Sequence, residues 1–191
     1  MLTKTQIKEI LAQHAIRPLK RLGENYLIDG NIKDKMIREA RLSKDDVVLE
    51  IGPGLGALTQ DLAKSGARVF AVEKDKKVFS ILSGLVNAKF PNLKLFHADI
   101  LKFNLKGIAS AKPIKIVGNL PYYITTPVIE RIIENRRFVG SALITVQREV
   151  ANRLMARPGT KDYGAISCFV QYYTKPGYIY TIKRTSFYPE P

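Results

Sequence analysis

The sequence predicts an α/β fold in which a mostly parallel sheet carries helices on both faces. The largely apolar run Val47–Ile51 leads into a glycine-rich turn, GPGLG at residues 52–56, and an apolar pattern with helical spacing follows. Further apolar segments alternate with helical patterns, as in strand–helix–strand units. The chain has 191 residues, which suits one domain of this class.

The glycine-rich turn is a candidate cradle for a nucleotide or a cofactor. Gly52 and Gly54 can adopt φ > 0 and let a ligand approach the backbone closely. The free N–H groups of the helix that follows favour an anion. With Ala57, the two glycines also fit the relaxed dinucleotide fingerprint. A turn that only packs a helix closely against the sheet remains an alternative.

The predicted elements divide the chain into an N-terminal segment, residues 1–45, and an α/β core, residues 46–191. In the first segment, apolar spacing predicts a helix over residues 3–14, and Asn31 is a plausible cap for a helix over residues 32–41. In the core we expect strands at 47–51, 68–73, 93–97, 114–118, 142–146 and 165–173, and helices at 55–65, 75–90, 127–135 and 147–155. Thr126 is expected to cap the helix that begins at Pro127.

Polar residues follow the predicted strands at their carboxyl ends. In a parallel sheet these ends form the ligand crevice, so Glu50, Glu73, Asp99 and Asn119 should gather along one edge. An acid such as Glu73, at the end of the second core strand, commonly binds a ribose hydroxyl, and Asp99 can accept hydrogen bonds from an adenine amine. Solvated acids at strand ends are the alternative interpretation.

The stretch Asn119-Leu120-Pro121-Tyr122 suits chemistry on an exocyclic amine. The Asn119 Oδ1 and a backbone carbonyl of Leu120 or Pro121 would accept both N–H bonds and orient the nitrogen lone pair. Tyr122 offers a face for stacking on the base. An ordinary strand-to-helix turn is the alternative, since Asn and Pro are common in turns.

Charge favours a polyanionic partner. The chain has 31 Lys and Arg against 17 Asp and Glu, a formal net charge of +14, which favours nucleic acid first and an anionic membrane second. A basic loop with Arg17, Lys20 and Arg21 would contact phosphates, and a solvated turn is the alternative. Arg148 and Arg153 lie on the polar side of the helix predicted at 147–155, and Arg157 lies just beyond it.

The cysteine content and the hydropathy of the chain narrow the kinds of site and the cellular location that the sequence predicts. Cys168 is the only cysteine, so neither a disulfide framework nor a CxxC metal site is expected, and its apolar surroundings predict a buried side chain. We expect no metal site. No apolar run reaches about 18 residues and no secretory signal is recognised, so we expect a cytoplasmic protein without a membrane anchor.

Taken together, the motifs resemble those of the ribosomal RNA adenine N6-dimethyltransferase family, and most closely those of its bacterial small-subunit branch. The resemblance covers nearly the whole chain, and the motifs occur in the family's order. They are residues 23–27, 49–59, Glu73, Asp99, residues 119–122, residues 147–154, residues 158–164, Phe187, Pro189 and Pro191.

The resemblance implies a class I methyltransferase fold that uses S-adenosylmethionine and acts, as a monomer, on small-subunit rRNA in an immature ribosomal subunit. Two adjacent adenines near the 3′ end of that rRNA would each receive two methyl groups at N6. Phe187 would stack on the target adenine opposite Tyr122. The basic segments at residues 17–21, 148–157 and 183–184 would hold rRNA phosphates. Residues bordering the cofactor would be Asn25, Leu27, Gly52, Gly54, Glu73, Asp99 and Asn119.

Two departures from the family pattern stand out. Glu24 occupies a position where the family usually has Gln. The family also continues past Pro191 into a last strand and a small helical domain, so the sequence predicts a core that is incomplete at this end and lacks the helical domain.

Three other functions remain open. The first is the related branch that modifies large-subunit rRNA and confers macrolide resistance, which tends to have a residue other than Leu120 in the loop. The second is a nucleic-acid-binding relative without activity, and the third is a nicotinamide enzyme.

Overall fold

The computed structural model of the chain describes residues 1–16, 25–86 and 89–191. In chain order the helices and strands are α1 (Lys4–Gln13), β1 (Tyr26–Leu27), α2 (Gly30–Glu39), β2 (Val47–Ile51), α3 (Thr59–Lys64), β3 (Arg68–Glu73), α4 (Lys76–Val86), β4 (Leu93–His97), β5 (Ile114–Asn119), α5 (Thr125–Glu134), β6 (Val139–Thr145), α6 (Arg148–Met155), α7 (Ala165–Tyr173) and β7 (Phe187–Tyr188).

Five parallel strands form the central sheet in the order β4-β3-β2-β5-β6. Alternate residues of β2 enter different apolar clusters: Leu49 and Ile51 pack on one face, and Val48 packs on the other. Helices therefore cover both faces of the sheet, and the predicted α/β class is confirmed. Within the described residues, no helix has the length and apolar character needed to cross a lipid bilayer.

The prediction of a sixth strand at residues 165–173 is wrong, because this stretch forms the helix α7. Ile166, Phe169 and Val170 recur at helical spacing and pack against Ile129 and Ile133 of α5. A short apolar run fits a buried strand and a buried helix equally well. In this chain the run forms a helix, whose period is about 3.6 residues per turn.

The prediction that the Cys168 side chain is buried is also wrong. It lies on the outer face of α7 and is exposed. Its Sγ donates a hydrogen bond to the Tyr163 hydroxyl, at 3.1 Å. The helix turns this residue away from its apolar neighbours, whereas a strand covered on both faces would have buried it.

Three helix starts differ from the predictions. Asp29, not Asn31, caps α2 by accepting from two backbone N–H groups. The glycine-rich turn continues to residue 58, so α3 begins only at Thr59. A 3₁₀ turn, Tyr122–Ile124, leads directly into α5, which leaves Thr126 exposed inside the first turn of the helix.

A two-stranded antiparallel pair joins the segment before α2 to the last residues of the described chain. Tyr26 of β1 pairs with Tyr188 of β7, and Leu27 pairs with Phe187. Asp29 strengthens this connection, since its Oδ2 accepts a hydrogen bond from the Ser186 hydroxyl at 2.9 Å. The pair holds the segment around residue 25 beside the end of β5. The division at residues 45 and 46 stays a prediction.

Replacing Asp29 tests how strongly this junction stabilises the fold. Asp29→Ala removes the cap of α2 and the bond from Ser186, so we expect the free energy of unfolding to fall by about 1–2 kcal/mol. Urea unfolding followed by circular dichroism measures the change. Asp162→Ala, at an exposed loop position, is the control, and equal midpoints for the two variants would contradict the expectation.

Candidate cofactor and substrate site

A cavity of about 370 Å³ opens at the carboxyl ends of the central strands. This volume lies within the range of small-molecule sites, roughly 300–1,000 Å³. Glu50, Glu73, Asp99 and Asn119, the four polar residues expected at this edge, all line the cavity. Other lining residues include Met1, Leu2, Asn25, Tyr26, Leu27, Gly52, Gly54, Lys74 and Tyr123.

The glycine-rich turn forms the floor of this cavity. Gly52 has φ of +63° and Gly54 has φ of +56°, a left-handed conformation that residues with a Cβ rarely adopt. A Cβ on Gly54 would also lie 3.3 Å from the Tyr26 ring. The turn therefore needs glycine both for its conformation and for the close approach of the neighbouring segment.

Glu50 is an almost fully buried acid in the cavity wall, with 2% of its surface exposed. Its Oε2 has no hydrogen-bond partner in the described part of the chain. Burial raises the pKa of the Glu50 carboxyl to about 8; the Thr59 side chain lowers it in part, and the charge of Glu73 raises it further. A buried carboxyl oxygen without a partner is suited to a cationic or hydrogen-donating ligand group.

Glu73 is oriented by the backbone around it. Its carboxylate accepts a hydrogen bond from the Gly54 N–H at 3.2 Å and another from the Asp75 N–H at 2.9 Å. Burial raises the pKa of Glu73, although these backbone bonds oppose the change. Because the carboxylate bridges the end of β3 and the glycine-rich turn, it lies where a ligand on the turn can reach it.

Lys74 is a residue of the cavity that sequence reasoning missed. Its Nζ forms an ion pair with the Asp99 Oδ2 at 2.8 Å. The Lys74 ammonium lowers the pKa of Asp99, and Asp99 in turn raises the pKa of Lys74. A lysine directly after the acid at a strand end was the available signal. The pair keeps Asp99 ionised beside the cavity.

Asn119 is held from both sides by segments distant in the sequence. Its Nδ2 donates to the Asn25 carbonyl oxygen at 2.8 Å, and its Oδ1 accepts from the Thr145 hydroxyl at 2.5 Å. Thr145 is the second residue that sequence reasoning missed. It ends β6 directly beside Asn119 at the end of β5, so only the strand pairing connects them.

The loop after Asn119 contributes a side chain to the core and a backbone carbonyl to the candidate site. The Leu120 side chain is buried, with 2% exposure. The Pro121 carbonyl already accepts from the Ile124 N–H at 3.2 Å and from the Thr125 hydroxyl at 3.3 Å. Since a carbonyl oxygen has two lone pairs, the Leu120 carbonyl is the better candidate acceptor of the two considered.

The predicted stacking residues occupy different environments. Tyr122 is half-buried and lies beside the cavity; burial raises its pKa, while the Asn25 side chain and the charge of Arg184 lower it. Tyr123, which is 47% exposed, lines the cavity instead. Phe187 is 7% exposed and packs with Leu27 in the apolar cluster beneath β1, so the structure presents no open face of this ring.

A family model matches most of the chain. The model of the family described as ribosomal RNA adenine dimethylase matches residues 16–191. The chain belongs to this family. The resemblance indicated by the motifs is therefore confirmed.

Named relatives and solved structures agree with this assignment. The ribosomal RNA small subunit methyltransferase A of Alkaliphilus oremlandii is 42% identical over 188 residues, covering 96% of this chain and 65% of the relative. The protein of the same name from Geobacillus thermodenitrificans is 41% identical over 194 residues, covering 99% of this chain and 66% of the relative. The chain thus spans about two thirds of the length of these relatives.

Two solved structures share the fold closely. A dimethyladenosine transferase from Plasmodium falciparum has a TM-score of 0.77 at 29% identity, with coverage of 87% of this chain and 59% of that chain. The 23S rRNA methyltransferase ErmE has a TM-score of 0.72 at 28% identity, with coverage of 87% and 65%. The sheet of this rRNA adenine dimethylase family member is therefore that of a methyltransferase core.

The basic residues predicted to contact RNA divide into two groups. Arg148, Arg153 and Arg157 are exposed on and just after α6, and in the described part of the chain none of them forms an ion pair. Residues 17–24 lie outside the described residues, and with them Arg17, Lys20, Arg21 and Glu24.

Among the residues that the structure describes, no group of three or more His, Cys, Asp or Glu side chains is placed to hold a metal ion.

Glu50→Gln tests the raised pKa through stability. The Glu50 carboxyl is protonated in the folded chain up to about pH 8, whereas in the unfolded chain it ionises near pH ~4.3. This group therefore stabilises the fold below pH ~4.3, and its contribution is lost as the pH rises towards 8. The Gln variant lacks this loss, so its free energy of unfolding at pH 8 should exceed that of the wild type by roughly 3–5 kcal/mol.

Chemical denaturation across pH 4–8 measures the difference between the two proteins. Glu130→Gln, at an exposed position on α5, is the matched control. A difference between Glu50→Gln and the wild type that stays constant with pH would contradict the expected buried, protonated carboxyl.

Proposed function

We propose that this family member transfers methyl groups from S-adenosylmethionine to the N6 amine of two adjacent adenosines near the 3′ end of small-subunit rRNA. The observation that carries the proposal is the fixed amide of Asn119, held by Thr145 and by the Asn25 carbonyl at the edge of the cavity. The names of the relatives from Alkaliphilus and Geobacillus support the substrate.

The cavity fits the cofactor on structural grounds. The unpartnered Glu50 Oε2 suits the cationic end of an amino acid moiety, and the left-handed glycines leave the backbone open. Asn25, Leu27, Gly52, Gly54, Glu73, Asp99 and Asn119 would hold the group, with Glu73 on the ribose and Asp99 on the adenine. When bound, S-adenosylmethionine supplies an electrophilic methyl group on a sulfonium.

The residues of the loop would prepare the target amine. The Thr145 hydroxyl occupies one lone pair of the Asn119 Oδ1, so the other can accept an N–H of the adenine. The Leu120 carbonyl would accept the second N–H. Both bonds draw the nitrogen towards tetrahedral geometry and aim its lone pair at the cavity. The methylated nitrogen is cationic and loses a proton to water, so a dedicated base is unnecessary.

Positioning of the base requires extrusion from the RNA, because a stacked adenine cannot reach the cavity. Tyr122 would stack on one face of the extruded base. Phe187 would serve the other face only if it left the apolar cluster that now covers it. Arg148, Arg153 and Arg157, together with the basic residues before residue 25, would contact phosphates of an immature subunit. We expect a cytoplasmic monomer.

Similarity to ErmE favours a second candidate, methylation of large-subunit rRNA. Leu120 between Asn119 and Pro121 favours the small-subunit branch. Mapping the dimethylated adenosine decides between them. A binding protein without activity would instead show no heat of binding on titration with S-adenosylmethionine.

The central experiment incubates the chain with radiolabelled S-adenosylmethionine and immature small subunits. We expect label in N6-dimethyladenosine, and Asn119→Ala should reduce the rate by about 10²–10³-fold, because one preorganised acceptor is lost. The relatives are longer than this chain, so the assay is repeated with a version extended to their length. If neither form labels adenine, the proposal is wrong.

Thr145→Val tests whether this hydroxyl positions Asn119. We expect kcat to fall by roughly fivefold to tenfold, the effect of one hydrogen bond, while the Kd for S-adenosylmethionine changes by a smaller factor. Thr145→Ser keeps the hydroxyl and should restore the rate. An unchanged kcat in the valine variant, or a failure of the serine variant to recover it, would exclude this role.

A further inference from the structure

A second concave surface lies on helix α6, outside the cavity at the sheet edge. We call it the α6 groove; its volume is about 280 Å³. Arg148, Asn152 and Met155 line it from the helix, at positions i, i+4 and i+7 of one face. The lining is completed by Ala151, Tyr178 and Thr181.

The side chains of the α6 groove combine a cation, an amide and an aromatic ring. Tyr178 is 60% exposed and Met155 is 39% exposed. The Tyr178 hydroxyl hydrogen-bonds to the Thr181 Oγ1, which ties the ring to its own turn. In the described part of the chain Arg148 has no acidic partner, and no acid lines the groove.

This combination matches the chemistry of single-stranded nucleic acid binding. Such sites join positive charge along a groove to aromatic rings on which bases stack. The Asn152 amide presents both donors and an acceptor, so it can bond to a base edge. The formal net charge of +14 favours a polyanion over an apolar partner.

The α6 groove also lies close to the reacting residues along the chain. Helix α6 begins at Arg148, three residues after Thr145, whose hydroxyl bonds to Asn119. Three extended residues span at most roughly 11 Å. Since Thr145 contacts Asn119, an RNA strand that delivers a base to Asn119 can also reach Arg148.

We propose that the α6 groove holds a nucleotide that flanks the target adenosine in single-stranded RNA. This inference rests on the proposed function, because it presumes an RNA substrate. Tyr178 stacks on the flanking base, Asn152 bonds to the edge of that base, and Arg148 contacts its phosphate. The groove thereby sets the register in which the neighbouring adenosine enters the cavity.

The test measures binding of a fluorescein-labelled, adenosine-containing single-stranded RNA of about eight nucleotides to the chain by fluorescence anisotropy. We expect Tyr178→Ala to weaken binding by roughly tenfold, the effect of one stacked base, and Tyr178→Phe to bind like the wild type. Tyr172→Ala is the matched control, since Tyr172 is 81% exposed on α7 and outside the groove; it should bind like the wild type.

A salt series separates the charge from the ring. Arg148→Gln should reduce the slope of log Kd against log salt by about 1, while Tyr178→Ala should leave the slope unchanged. Ultraviolet cross-linking of the same RNA, followed by mass spectrometry, should identify Tyr178 as a cross-linked residue.

The outcomes distinguish this inference from the proposed function. If the wild type binds RNA and S-adenosylmethionine but Tyr178→Ala matches Tyr172→Ala, the α6 groove is not an RNA site while the methyltransferase proposal stands. If an acidic peptide binds the groove and displaces no RNA, the partner is a protein and the inference is wrong. If the wild type binds neither the RNA nor S-adenosylmethionine, both proposals fail.

Discussion

The site depends on one pair of hydrogen bonds, those that hold the Asn119 amide between Thr145 and the Asn25 carbonyl. Each partner comes from a different part of the fold. Thr145 stands beside Asn119 because β5 and β6 are parallel and their pairing places these two residues opposite each other. Asn25 is within reach because the β1–β7 pair holds the preceding segment against the core. The amide can act as a directional acceptor only while all three elements are assembled.

The second constraint on this structure is the burial of two acidic side chains in the same cavity. Glu50 and Glu73 face one cavity in a chain with a formal net charge of +14. Burial raises the pKa of both carboxyls, and the charge of Glu73 adds to the effect on Glu50. Stability alone would favour an apolar residue at position 50. The Glu50 Oε2, which has no hydrogen-bond partner among the described residues, is therefore an unpaired polar atom in the cavity wall.

The sequence predicted most of the core and the edge at which the site lies. Strands β2, β3 and β4 begin and end where their apolar runs predict, because glycine and polar residues delimit them clearly. The error at α7 has the opposite cause, since its nine residues are apolar enough for either structure. Thr145 and Lys74 escaped notice because an ordinary threonine or lysine carries no motif. Residues 17–24, where the resemblance places further contacts, lie outside the described residues.

By itself the sequence determined the parallel α/β core, the glycine-rich turn and the set of polar residues at one sheet edge. Local patterns suffice for these features, since parallel strands direct their carboxyl ends to the same side. Only the tertiary structure decided which groups pair there: Thr145 with Asn119, Lys74 with Asp99, and, among the described residues, nothing with the Glu50 Oε2. The bond from Asn119 to the Asn25 carbonyl likewise joins residues that are 94 positions apart in the sequence. No local pattern encodes them, because each depends on how separate elements pack.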